Sequence, residues 1–149
     1  MTSIVWFRKA LRLHDNPALL EGVAGASRVA FVFVLDPWFC RPASVGKNRL
    51  SFLLQSLTEL DRLLQACHGA RLLVLRGKPE EVLPRAFKDW KSTRLAFEAD
   101  AEPYARRRDA AVRALAQSAG VEVCSPSGHT LYPPELLLAS NGGALPKVN

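Results

Sequence analysis

Four short stretches place charged or amide side chains beside apolar runs. Arg8 and Lys9 follow "SIVWF", and Asp36 follows "VAFVFVL". Asn48 and Arg49 open "NRLSFLLQ", and Asp100 and Glu102 lie in "FEADAEP". Guanidinium, ammonium and amide groups donate hydrogen bonds, and carboxylates accept them. Gathered around an apolar floor, such a set suits a planar polar heterocycle. It suits a pyrophosphate less well, because "WFRKALRLHDNP" has no glycine to let the backbone approach a phosphate. The same residues can also be read as a surface ion-pair network that orders the loops.

Other chemistry is missing. The first turn carries no GxGxxG fingerprint, and the chain has neither a P-loop nor a GxSxG elbow. Gly77 stands alone in "RGKPEE" and reads as a turn before a helix. The three histidines lack a nucleophile partner, and His68 beside Gly69 reads as a helix-end cap. Cys40, Cys67 and Cys124 are widely spaced and read as free thiols of a reducing compartment, with no metal site. No catalytic residue is assigned, and an autonomous enzyme is not indicated.

Positioning these residues requires alternating strands and helices. Strands are expected over Ser3 to Phe7, Val29 to Leu35, Arg71 to Leu75, Arg94 to Glu98 and Val121 to Cys124. The apolar character of the second fits a parallel strand covered on both faces. Asn16-Pro17 supplies an N-cap and a first helical proline for a helix that fades at Gly25. Trp38 to Gly46 reads as a loop. From Asn48 to about Gly69, the residues Leu50, Leu53, Leu57, Leu60, Leu64 and Cys67 recur three or four apart and mark a buried helical stripe. A helix opened by Pro79, Glu80 and Glu81 buries Val82, Leu83, Ala86, Phe87 and Trp90. Another, opened by Pro103 and stopped by Gly120, buries Val112, Leu115, Ala116 and Ala119. "SPSGHTLYPPE" reads as a turn, Leu136 to Ser140 as a short helix, and "NGGALPKVN" as a loose tail. The pattern predicts an α/β fold with a five-stranded, mostly parallel, Rossmann-like sheet and helices on both faces. Ligands of such sheets sit beyond the carboxyl ends of the strands, where strand order reverses. Those ends are Phe7-Arg8-Lys9, Leu35-Asp36-Pro37, Leu75-Arg76-Gly77 and Ala99-Asp100-Ala101-Glu102.

The chain has 149 residues, 48% hydrophobic and 23% charged, enough for one core. No apolar stretch is long enough to span a bilayer, and Met1-Thr2-Ser3 runs straight into the first strand, so neither a membrane span nor a signal or transit peptide is expected. The formal charge of +6 favours anionic partners weakly. Its one local cluster, Arg106-Arg107-Arg108, reads most simply as a solvated helix face.

Taken as strings, several segments resemble the animal cryptochrome and photolyase family. "WFRKALRLHDNPALL", "LDPWF", "LLVLRGKPEEVLPRAFKDW", "FEADAEPYARRRDAAV" and "GHTLYPPELL" follow that family's order. "NRLSFLLQSLTELDRLL" is similar to one of its helices, with Leu50 and Ser51 in place of the usual Trp and Arg. The resemblance runs to about Gly143.

The resemblance implies an N-terminal antenna domain over residues 1–135 and the start of an interdomain linker over 136–149, in a chain truncated before the family's large helical domain. That missing domain would carry FAD, the electron-transfer tryptophans and the groove for damaged DNA. Trp6, Trp38 and Trp90 are therefore expected as core or loop residues. A deazaflavin-type antenna would use Arg8, Lys9, Leu35, Asp36, Asn48, Arg49, Phe52 and Asp100, with Asp100 bonded to the ring. A folate antenna is less expected, because the family's contact acid falls near Ala105. Tyr104 and "LYPPELL" resemble the (6-4) photolyase branch, whose full-length members repair DNA with light. The alternative is a cryptochrome-type circadian or photoreceptor interaction module, with Tyr104, Arg106, Arg107 and Arg108 meeting clock proteins. The resemblance implies a nuclear and cytoplasmic location.

Overall fold

The computed structural model describes residues 1–40, 45–128, 130, 132, 134–140 and 142–143. Five strands form one sheet: β1 (Thr2–Phe7), β2 (Arg28–Leu35), β3 (Leu72–Arg76), β4 (Arg94–Ala96) and β5 (Glu122–Cys124). Every pairing is parallel, in the order β3-β2-β1-β4-β5. The chain first builds outward from β1 through β2 to β3. It then crosses to the other side of β1 for β4, so strand order reverses between β1 and β4.

Both sheet faces are covered, which explains the unbroken apolar runs of β1 and β2. On one face Ile4, Trp6, Val32, Val34, Leu95 and Phe97 pack under α4 (Pro79–Trp90) and α5 (Pro103–Ser118) through Leu83, Phe87, Val112 and Ala116. On the other, Val5, Phe7, Phe31 and Phe33 pack under α1 (Pro17–Val23) and α3 (Lys47–His68) through Leu19, Leu57, Leu60 and Leu64. α1 sits close to the sheet because Gly22 has no side chain. A Cβ there would overlap Val5 Cγ2 and lie 3.0 Å from Ala96 Cβ.

The glycine-free loop after β1 is held by side chains. Arg12 donates to the carbonyls of His14 and Asp15, and Asn16 Nδ2 donates to the Arg12 carbonyl at 3.1 Å. Asn16 Oδ1 accepts the Leu19 N–H at 3.0 Å, the expected N-cap, with Pro17 opening the helix.

Local details differ from the sequence reading. Trp38 to Gly46 is not loop throughout, since α2 (Pro37–Cys40) starts where the Asp36 carboxylate accepts the Trp38 N–H at 2.9 Å. β3 begins one residue later than expected. Asp61 grips Arg71 at 3.0 Å and the Leu72 N–H at 2.8 Å, and pairing then runs from Leu72 against Phe31 to Arg76 against Leu35. β4 ends at Ala96, although Phe97 still donates to the Cys124 carbonyl at 3.0 Å.

Gly69, in the left-handed region, caps α3 through its own N–H to the Gln65 and Leu64 carbonyls, so backbone takes the role expected of His68. Gly77 makes the expected turn, donating to the Leu35 carbonyl at 3.2 Å. Cys67 and Ala119 are exposed at the ends of their helices. Trp6 is core, Trp90 is partly buried, and Trp38 is exposed on α2. α6 (Pro134–Ser140) covers the short helix expected near the C-terminus. Residues 41–44 of the expected loop, parts of the "SPSGHTLYPPE" turn and the tail beyond residue 143 lie outside the described residues. Among the described residues no helix is long and apolar enough to cross a membrane.

Candidate functional site

A cleft of about 360 Å³ opens beyond the carboxyl ends of β1, β2 and β4, beside the point where strand order reverses. β1 delivers Phe7, Arg8 and Lys9, β2 delivers Asp36, and the segment after β4 delivers Asp100 and Glu102. α3 turns Arg49, Phe52, Leu53 and Ser56 toward it, and α5 adds Tyr104 and Arg108.

Two guanidinium groups form one side. Arg8 Nη1 donates to Asp109 Oδ1 at 2.5 Å, while Arg108 Nε and Nη2 donate to that same oxygen at 3.0 and 2.9 Å. Arg8 also donates to the Glu98 carbonyl. Both cations lie 5.1 Å from the Trp6 ring centre. Arg8 further contacts Phe97, and Arg108 contacts Tyr104. All three charged side chains are less than a tenth exposed. Burial pulls the Arg8 pKa down, and the Asp109 carboxylate opposes that pull.

The Lys9 ammonium bridges Asp100 Oδ2 at 2.9 Å and Glu102 Oε1 at 2.8 Å. Partial burial would lower the Lys9 pKa, but the bonds to Glu102 and Asp100 outweigh it and the value is raised. Burial likewise pushes Asp100 up. The Lys9 bond and the Glu102 N–H, 3.1 Å from Asp100 Oδ1, more than reverse this and hold the carboxyl below its ordinary value.

An aromatic wall closes another side. The Tyr104 hydroxyl donates to buried Asp36. Its ring stacks on Trp38, with centres 4.7 Å apart and planes within 7°, and meets Phe39 edge-on at 5.7 Å. Burial first, then the Asp36 bond, raises the Tyr104 pKa, so the phenol stays protonated and donating.

Of the residues expected to line an antenna pocket, Arg8, Lys9, Asp36, Arg49, Phe52 and Asp100 meet in this cleft. Leu35 does not line it and packs against the α3-side core instead. Asn48 is exposed in the first turn of α3, outside the cleft lining. An ion-pair network exists among these residues, centred on Lys9.

The Arg106 to Arg108 run does not form one exposed patch. Arg106 and Arg107 are exposed, whereas Arg108 is buried and faces the cleft with Tyr104. The helical period supplies the reason, because Ala105, Arg108, Asp109, Val112 and Ala116 share the inward face of α5. That spacing could have revealed Arg108 and Asp109. Trp6, expected only as core or loop, lines the cleft with Phe33 and Phe39, because apolar residues beside a cleft look like ordinary core.

The chain is a doubly wound, all-parallel α/β domain with rings and paired charges at the reversal point and no glycine phosphate loop. Comparison with known proteins narrows the class. The chain belongs to the DNA photolyase family, whose sequence pattern matches residues 3–148. It is 49% identical to mouse (Mus musculus) cryptochrome-1 over 146 residues, covering 98% of this chain and 24% of that protein. It is 50% identical to chicken (Gallus gallus) cryptochrome-2 over 144 residues, covering 97% and 25%. The chain thus spans about a quarter of the length of these curated relatives.

Among solved structures, the photolyase of Sulfolobus tokodaii superposes with a TM-score of 0.84 at 32% identity, over 91% of this chain and 31% of that one. That structure is described with two FAD molecules and the implication of a novel light-harvesting cofactor. The cryptochrome of Synechocystis sp. PCC6803 superposes with a TM-score of 0.83 at 30% identity, over 91% and 29%.

Two outcomes are expected. Asp109→Ala leaves two buried guanidinium groups without their shared carboxylate and should cost about 3–5 kcal/mol, read from urea unfolding. The Lys9–Asp100 pair should make stability fall in acid. Because the folded Asp100 pKa lies below its unfolded value, its contribution is present above the ordinary Asp range and is lost as pH falls through the folded value. Lys9, raised in the fold, loses its contribution only as alkaline pH climbs through its own folded value. Unfolding free energy followed from about pH 6 to about pH 2 should therefore drop less in Lys9→Met than in the unaltered chain.

Proposed function

We propose that the cleft is the seat of an antenna chromophore of the deazaflavin or flavin class, and that this chain is the light-harvesting portion of a blue-light flavoprotein. The observation that carries the reading is the convergence of rings and fixed polar groups on one cleft at the strand-order reversal. Its volume of about 360 Å³ falls within the range of small-molecule sites. The donor set fits a ring with carbonyl and imide edges. Arg8, Arg49 and Arg108 supply N–H donors, while Asp36 and Asp100 supply acceptors. Trp6, Phe52 and Tyr104 offer aromatic surface. The light-harvesting cofactor implied for the Sulfolobus tokodaii relative supports the same reading.

When bound, the chromophore would absorb light and pass the excitation to the FAD of the family's helical domain. The chain's own residues would hold and orient it. The Asp109 anchor fixes Arg8 and Arg108, Lys9 fixes Asp100, and Asp36 fixes the Tyr104 ring. Ala105, where a folate antenna would call for an acid, is buried on α5 and offers no such bond, which disfavours folate.

Full-length relatives on the (6-4) photolyase branch act on damaged DNA with FAD, and Tyr104 favours that branch for this chain. The tyrosine hydroxyl satisfies buried Asp36, a bond that phenylalanine cannot make. A second reading, a cryptochrome-type module that binds clock proteins, draws support from the cryptochrome relatives at 49% and 50% identity. On this reading Arg106 and Arg107 are its exposed contacts, and Tyr104 and Arg108 border the cleft behind them. Both readings place the protein in nucleus and cytoplasm.

Titration of a deazaflavin by fluorescence quenching separates the two. The antenna reading expects saturable binding that weakens at least about tenfold in Asp100→Ala, the loss of roughly one charged hydrogen bond. Charge reversal at Arg106 should leave that binding unchanged. Equal affinity of the unaltered chain and Asp100→Ala would exclude a ring bond at Asp100.

A further inference from the structure

The two edges of the sheet are β3 and β5. An edge strand presents unpaired N–H and C=O groups, which proteins blunt with short length, charge or proline. β5 is blunted. It has three residues and begins at Glu122, whose carboxylate accepts from Arg94 at 3.0 Å. β3 is not. Its five residues run from Leu72 to Arg76, and Leu73 and Val74 are 40% and 43% exposed. Gly77 donates to the Leu35 carbonyl, so alternation turns the backbone groups of Leu73 and Leu75 toward β2 and those of Leu72, Val74 and Arg76 away from it. Asp61 takes up the outward Leu72 N–H at 2.8 Å. Among the described residues, nothing takes up the outward groups of Val74 and Arg76. The Arg76 side chain is exposed and makes no ion pair among them.

We propose that the β3 edge pairs with the β3 edge of a second copy of this chain, antiparallel about a two-fold axis at Val74, and so joins two five-stranded sheets into one. The strand is self-complementary in that register. Val74 meets Val74 and exchanges both outward backbone bonds, and Leu73 of each copy lies opposite Leu75 of the other. Arg76 lies opposite Leu72, on the face that Leu72 shares with α3. There the Asp61 carboxylate, a quarter exposed, sits beside the Leu72 N–H. Each guanidinium that lacks an ion pair in one copy thus meets the acid of the other, twice by symmetry. This charge complementarity favours a second copy over an unrelated extended peptide. It also sets the direction, because a parallel pair in register would place Arg76 against Arg76. The pairing closes at two copies, since it uses both β3 edges and β5 is blunted. It is independent of what fills the cleft, which no β3 residue lines.

The test is sedimentation equilibrium of the whole chain between about 1 and about 200 μM. Val74→Lys is compared with Leu20→Lys, which places the same charge at an exposed leucine on α1, away from the β3 edge. Circular dichroism checks that both remain folded. The proposal expects a monomer–dimer equilibrium whose dissociation constant rises at least about tenfold in Val74→Lys and is unchanged in Leu20→Lys. Arg76→Glu, which sets a carboxylate against Asp61, should also weaken the dimer, and more at low salt than at high salt. A monomer throughout the range, or an assembly larger than two, would overturn the proposal. A dimer that Val74→Lys leaves intact, or that Leu20→Lys weakens as much, would place the interface elsewhere and overturn it too.

Discussion

A single carboxylate oxygen organises the cleft side of this domain. Asp109 Oδ1 accepts from Arg8, which extends from the end of β1, and from Arg108, one helical step away on α5. Removing these charges from water is costly unless each finds a partner with good geometry. The shared oxygen provides one, the Glu98 carbonyl a second, and the faces of Trp6, Phe97 and Tyr104 receive the rest of the guanidinium surface. The result ties the central strand to α5 across the reversal point and leaves two cations fixed at the wall of the cleft. The aromatic wall follows from this arrangement, because Tyr104 lies one turn before Arg108 on α5 and reaches Asp36 at the end of β2.

The same economy explains the charged loop after β1. A phosphate cradle uses glycine so that backbone N–H groups can surround an anion. Here side chains do the holding. Arg12 and Asn16 fix the loop, Lys9 clamps Asp100 and Glu102, and Arg8 turns inward. Polar groups that side chains orient in this way suit a ring with several hydrogen-bonding edges better than a bare phosphate.

The architecture was legible because it rests on periodicity. Alternating apolar runs gave five strands, the N-cap at Asn16-Pro17 marked α1, and leucine spacing marked α3. The site was legible only in part. Charged residues at strand ends stand out against apolar neighbours, so Arg8, Lys9, Asp36 and Asp100 could be named. Arg108 was grouped with its sequence neighbours because three adjacent arginines look like one patch. On a helix adjacent residues point in different directions, and the inward set here includes a charged pair that only tertiary packing accommodates. Trp6 and Phe39 gave no signal, since an apolar residue beside a cleft has the same composition as one in a core.

The central claim is that the cleft holds a planar chromophore without help from another domain. It is tested most directly by the absorption and fluorescence spectrum of the purified chain after incubation with a deazaflavin, a reduced folate or FAD and removal of free ligand. The account predicts retained deazaflavin or flavin absorbance and no retained folate. A colourless protein in every case would contradict it, and the fixed charges of the cleft would then have to be explained by the ordering of loops alone.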